Sequence, residues 1–286
     1  MNSKKELSSR GWFHFYTRSV SGVVGMVIFL LLLIGALIAL FHATPHDPLA
    51  QDRLLSLKGP SLQHPFGNDQ FGRDIFSRVL DGVRRSLSVS FLAVAISALL
   101  GMCLGIVSGY FGSLLDTIIM RTSDIFFAFP AILLALAIVS SLGHTWLDTA
   151  IAISIVYTPI FTRVVRGPIL ALKELDYIKS ARVLGFSTSR ILFKHLLPNV
   201  MPVFLVQIAL SLSWAILTES GLSFLGLGTQ APDASLGLMV AEAQSLAAFA
   251  WWTLAFPSIF LILAVVSLNL VGDGLRDSLD PTRRSI

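Results

Sequence analysis

The chain has 286 residues, 54% of them hydrophobic and 13% charged, which is more apolar surface than a soluble core of this size can hide. Its net charge of +4 is gathered in the tails and one internal segment instead of being spread over a face, so position argues against a nucleic-acid partner. The single cysteine, Cys103, can form no internal disulfide.

Six apolar runs, near 20–41, 87–109, 124–142, 146–167, 200–220 and 250–271, predict six membrane-crossing helices. About 20 residues at roughly 1.5 Å rise cross roughly 30 Å of hydrocarbon. The runs lack the alternation of barrel strands, so the predicted fold is an all-α polytopic membrane protein. The first run is longer than a signal-peptide core and "FHATPHDP" after it is a poor cleavage site, so it reads as a retained anchor. Lys4, Lys5, Arg10 and Arg18 precede it, seven Lys or Arg lie from Arg163 to Lys194, and Arg276, Arg283 and Arg284 close the chain. The positive-inside rule then places both termini and the 168–199 loop in the cytoplasm. The expected division is a cytoplasmic tail 1–19, a first span 20–41, an extracytoplasmic loop 42–86, a core 87–272 and a second cytoplasmic tail 273–286.

Within the outer loop, Phe71, Ile75 and Val79 recur every four residues, and Asp69–Arg73, Asp74–Arg78 and Asp81–Arg85 are spaced i,i+4. This predicts an amphipathic helix over 68–85 leading into the second span, lying at the bilayer surface or docking an external partner. In the second run Gly101, Gly105 and Gly109 mark one smooth face for close helix packing. Pro130, Pro159 and Pro257 interrupt the third, fourth and sixth runs as kinks. Asp124 has Arg121 one turn back as a partner, with the translocation path as its alternative role. Glu219, near the outer end of the fifth run, is either a helix-to-helix polar contact or a pathway residue.

The stretch "YIKSARVLGFSTSRILFKHLLPN" (177–199) is basic and amphipathic. Tyr177, Ala181 and Leu184 share one face of a first short helix, Gly185 suits a left-handed turn, Ser187 suits an N-cap, and Phe193 and Leu197 align in a second helix before Pro198. Such a segment fits a groove of another protein or anionic lipid headgroups equally well.

No phosphate-cradling G-x-x-x-x-G-K-[S/T], no H-E-x-x-H, no cysteine cluster and no G-x-S-x-G occurs, and the six histidines are scattered, so neither an ATPase, an enzyme nor a metal site is expected in this chain. Few ionisable residues lie in the runs, which argues against a proton pump built on carboxylate relays.

Residues 179–198 fit the loop pattern E-A-A-x3-G-x9-I-x-L-P through Ala181, Gly185, Leu197 and Pro198, with Lys179 and Ser180 replacing Glu and Ala and His195 replacing Ile. This resembles the coupling loop of permease subunits of ATP-binding cassette importers. The stretches "HPFGNDQFGRDIFSR" (64–78), "GYFGSLLDTIIMRTSDIFFAFP" (109–130), "ESGLSFLGLGTQAPDASLG" (219–237) and "NLVGDGLRDSLDP" (269–281) resemble the C-type permease of dipeptide, oligopeptide and nickel importers. The resemblance implies the type I importer permease fold and a place in the cell (inner or plasma) membrane. It implies a homologous second permease, two ATPase subunits that carry ATP and Mg, an extracytoplasmic peptide-binding protein and a lipid surround, with no cofactor in this chain. It implies that Ala181, Gly185, Leu197 and Pro198 dock into the ATPase subunit. Short peptides are the expected cargo, nickel or a metal chelate the alternative, and a self-contained channel or carrier the reading from a different class.

Overall fold

The computed structural model describes residues 19–143 and 145–279. The basic residues Lys4, Lys5, Arg10, Arg18, Arg283 and Arg284 lie outside the described residues.

Almost all of the described chain is helical. α1 (Val20–Leu40) opens at Ser19, whose hydroxyl accepts from the Gly22 amide at 3.2 Å. α2 (Ile75–Phe111) is 37 residues long, which at about 1.5 Å per residue is far more than the bilayer requires. α3 (Ser113–Phe127) and α4 (Ala131–Leu142) follow, then α5 (Trp146–Leu172), opened by a reciprocal capping box between Thr145 and Asp148. α6 (Asp176–Val183) is short, and α7 (Thr188–Phe224) is again 37 residues long, with a wide turn at Leu192–Leu196. α8 (Leu236–Ala243) and α9 (Trp251–Leu279) complete the chain. Five of these helices are long and apolar enough to cross a membrane, or six where the bent α3–α4 pair counts as one span.

Two expectations are corrected here. The third apolar run is not one kinked helix: α3 and α4 meet at 94°, with Pro130 at the junction. Proline has no N–H to donate and drives the residue before it out of helical geometry, so the chain breaks there instead of bending. Pro159 and Pro257, in contrast, sit inside continuous α5 and α9.

The stretch 68–85 is also not helical throughout. Residues before Asp74 form a turn held by an isolated bridge between Asn68 and Asp74, and helix begins only at Ile75, continuous with the span. Gly67 and Gly72, at φ +75° and +76°, carry the chain through left-handed geometry, and Gly72 packs against the Asp52 backbone where no Cβ fits. The i,i+4 pairing therefore fails for two of the three pairs. Asp74 Oδ2 caps α2 by accepting from Ser77 N at 2.8 Å, which leaves Arg78 to Asp69 and Glu242. Arg85 reaches Asp233 at 2.6 Å while Arg84 takes Asp81. Only Asp69–Arg73 forms, at 2.5 Å, and it does so within the turn.

The core is built by α2, α5 and α7, with the α2–α5 contact the most extensive, while α1 packs on α9 and α9 on α7. Gly101, Gly105 and Gly109 lie along the α2–α5 seam: a Cβ on Gly105 would meet Val165 Cβ at 2.7 Å, and one on Gly109 would meet Ile169 Cγ2 at 2.9 Å. The backbones touch because glycine removes the intervening side chain, and dispersion contacts replace the hydrophobic effect that lipid cannot supply.

Candidate functional site

Three places carry the residues singled out in the sequence. The first is the tip formed by α6 and the start of α7. α6 ends in a Schellman closure: Phe186 N donates to Ala181 O and Gly185 N to Arg182 O, both at 3.0 Å, with Gly185 at φ +77°. Ser187 Oγ then accepts from Arg190 N at 3.4 Å and starts the next helix. That second helix is not a separate element, since it runs through the wide turn at 192–196 into the membrane-crossing part of α7. Pro198 and Pro202 lack the N–H that would close ordinary turns here, and a widened turn precedes them. The start of α7 in the tip and its membrane-crossing part are thus one continuous helix.

The tip buries Ile178, Ala181 and Ile191 and leaves Val183 and Phe193 87% and 71% exposed, with Leu184 and Tyr177 also outward. Basic residues rim this apolar patch. Lys179 pairs with Glu174 at 3.3 Å, Ser180 accepts from Leu184 N through its carbonyl, and Arg190 lies 5.2 Å over the Phe186 ring. The His195 ring stacks on Phe186 at 6.4 Å and lies tilted to Tyr177 at 6.3 Å; its Nε2 is buried with no hydrogen-bond partner. Leu197 is half-buried and Pro198 exposed.

The tip is tied to the end of α2. Arg182 lies 5.0 Å over the Tyr110 ring, and Lys173 Nζ donates to Gly109 O at 2.7 Å, placing a cation on carbonyls at the negative end of the α2 dipole. Nothing in the sequence pattern of 177–199 pointed to Tyr110 or Lys173, because both contacts join segments far apart in the chain.

The second place is the seam between α3 and α5. Asp124 binds Arg163 Nη2 at 2.6 Å, and the neighbour expected for it, Arg121, stands further off at 3.7 Å. An i,i+3 arginine in water has little reason to hold its partner, whereas Arg163 is fixed by the Phe127 ring 4.0 Å below its guanidinium. Arg163 was missed in the sequence although it lies inside an apolar run, where an arginine needs a partner. One level along, Arg166 grips Asp116 with two bonds of 2.6 and 2.7 Å, and Ser108 donates to the same carboxylate. Beside these pairs, Leu104, Ile118, Thr122, Phe126, Thr158 and Thr162 line an open groove of about 330 Å³.

The third place is Glu219, which is fully buried in α7. Its carboxylate accepts from Ser223 Oγ at 2.8 Å and Ser220 Oγ at 3.3 Å, and the hydroxyls of Ser86 and Ser235 also reach it. Gly237 lies flat on the Ser220 backbone and Gly228 on Ser223, so the glycine-rich stretch wraps the carboxylate. The structure places Glu219 in a polar knot joining α2, α7 and the loop before α8.

Residues 101–285 match the family described as binding-protein-dependent transport system inner membrane component. The dipeptide transport system permease protein DppC of Alkalihalophilus pseudofirmus is 45% identical over 80% of this chain and 75% of its own length. The glutathione transport system permease protein GsiD of Pectobacterium atrosepticum is 41% identical over 96% and 91%, and the probable D,D-dipeptide permease DdpC of Escherichia coli is 39% identical over 91% and 87%. Among solved structures, an inward-facing form of the MetNI methionine ABC transporter aligns with a TM-score of 0.59 over 72% of this chain and 98% of its own, at 17% identity, which is a likeness of fold.

Proposed function

We propose that this chain, which belongs to the family of binding-protein-dependent transport system inner membrane components, moves short peptides through the membrane as one permease half of an ATP-binding cassette importer. It is a multi-pass membrane protein with the importer permease fold. Several of its relatives are named for dipeptides or glutathione, which favours a peptide over nickel as cargo.

The observation that carries the mechanism is the exposed apolar tip at 176–199, rigidly closed at Gly185 and continuous with α7. In this reading the tip seats Ala181, Gly185, Leu197 and Pro198 in a groove of a cytoplasmic ATPase subunit, with Lys179, Ser180 and His195 at its margin. ATP and Mg act in that subunit. Closure of the ATPase pair pushes the tip, α7 transmits the push, and Lys173 and Arg182 carry it to α2. Both termini lie on the ATPase side. A second, homologous permease faces the α3–α5 seam, and an extracytoplasmic binding protein delivers the peptide to the opposite end.

Asp124 and Arg163, 48% and 44% exposed within apolar helices, are too costly to face lipid, so they face the water-filled path or the second permease. An acid–base pair there matches the two charged ends of a peptide.

Purification of the full-length chain from its native membrane in mild detergent tests the reading. It is expected to bring down ATPase chains, a second permease and a binding protein, and the reconstituted assembly is expected to accumulate a labelled dipeptide only with ATP. Transport by this chain alone, without ATPase subunits, would replace the importer by a self-contained carrier.

A further inference from the structure

Three side chains of the segment between α1 and α2 meet at the head of α2. His46 follows α1, His64 lies in the long loop, and Asp74 is the N-cap of α2; one ligand atom from each lies within 4.8 Å of the others. The two imidazole rings lie with centroids 4.5 Å apart, tilted by 32°, and His64 Nδ1 is 2.9 Å from Asp74 Oδ1. Two of the three are held from behind. Asp74 Oδ2 accepts from Ser77 N, and His46 N donates to Ser77 Oγ at 3.1 Å, so two of the three residues are fastened to the same turn of α2.

The charges around this trio are unbalanced. The Asp74 side chain is 2% exposed, yet no Lys or Arg among the described residues pairs with it, because Arg73 and Arg78 are both committed to Asp69 and Glu242. A buried carboxylate with no Lys or Arg beside it favours a site that can take up a cation. Two imidazoles and a carboxylate are also the donor set that borderline divalent metals prefer, with bonds of about 2.0–2.2 Å.

We propose that His46, His64 and Asp74 bind a divalent transition-metal ion of the zinc type, which staples the outer loop to the head of α2. The ion takes the place of the proton between His64 Nδ1 and Asp74 Oδ1, and water completes its shell. Closure requires the His46 ligand nitrogen, now within 4.8 Å of the other two ligand atoms, to move closer to them. The ion ties the segment after α1 and the long loop to one helix end, fixing the surface that the chain presents outside the membrane. This site is separate from the coupling tip and from the α3–α5 seam, and it does not depend on the cargo.

The test uses the full-length chain with a histidine-free affinity tag, stripped with chelator and titrated with Zn2+ in detergent at neutral pH. About one equivalent is expected to bind, with a rise of several degrees in the unfolding midpoint. His46→Gln and His64→Asn, each able to keep a hydrogen bond to the loop or to Asp74, are expected to weaken binding by at least about tenfold while leaving the chelated midpoint within about 2 °C of the parent. His42→Gln is expected to change nothing. Stoichiometric binding that survives both variants, equal binding of Ca2+ or Mg2+, or no zinc binding would overturn the site. Because zinc content is read without transport, failure here leaves the importer assignment untouched.

Discussion

Gly105 and Val165 stand so close across the α2–α5 seam that a Cβ added to the glycine would lie 2.7 Å from the Val165 Cβ and equally near the Thr162 carbonyl. Neither helix can yield without shifting its own backbone. Gly105→Ala is therefore expected to destabilise the chain by about 1–3 kcal/mol, the usual cost of overpacking. Gly167→Ala, on α5 where nothing lies within 4 Å, is expected to be neutral or slightly stabilising. Unfolding midpoints of the two purified variants measure the contrast.

Gly185 differs because its surroundings are open and only its φ of +77° constrains it. Gly185→Ala is expected to cost about 1 kcal/mol locally, the left-handed penalty for a Cβ. Gly185→Pro fixes φ near −65° and removes the N–H given to Arg182 O, so the Schellman closure is lost. That variant is expected to insert at normal levels and lose ATP-dependent uptake. Retained uptake at normal expression would remove the tip from the coupling mechanism.

Arg163 and Asp124 are both substantially exposed, so their mutual attraction adds only about 0.2–1 kcal/mol to stability. Their proposed role in the path makes a different demand. Asp124→Asn and Arg163→Gln are expected to change the unfolding midpoint little and to lower peptide uptake about tenfold, equivalent to about 1.4 kcal/mol on the transport barrier. Parallel measurement of midpoint and uptake separates path from scaffold, since a scaffold role moves both together.

Arg78 is 1% exposed and binds Asp69, Glu242 and the carbonyls of Pro48 and Pro232, joining the outer loop, α2, the loop before α8 and α8 itself. Arg78→Met leaves these acceptors facing an apolar side chain and is expected to cost about 3 kcal/mol or more, as for breaking a buried ion pair. Arg78→Lys is expected to recover little, because an ammonium cannot span carboxylates and carbonyls in the way a planar five-donor guanidinium does. Chemical denaturation of the detergent-solubilised chain gives the comparison.

The position of Pro130 in the third run announced an interruption, but a kinked helix and a right-angled break have the same sequence. What decides is whether neighbours satisfy the freed carbonyls, and that depends on where α3 lies against α5. The same limit explains the charged pairs. Spacing at 69–85 marked acids four residues from arginines, but Asp74 gained more by capping α2, and Arg78 and Arg85 found carboxylates more than 140 residues away. The trio His46, His64 and Asp74 went unseen for a different reason: its spacings of 18 and 10 residues match no short ligand motif.

Sequence alone determined the helical membrane architecture, because hydrocarbon forces each apolar run to satisfy its own backbone, and it determined the left-handed turn at Gly185, because that geometry is local. Tertiary structure alone decided which charges meet, which glycine face meets which helix and how far α7 extends into the tip. Those outcomes are competitions among partners distant in the chain, and only the packed positions of the helices fix which partner lies within reach.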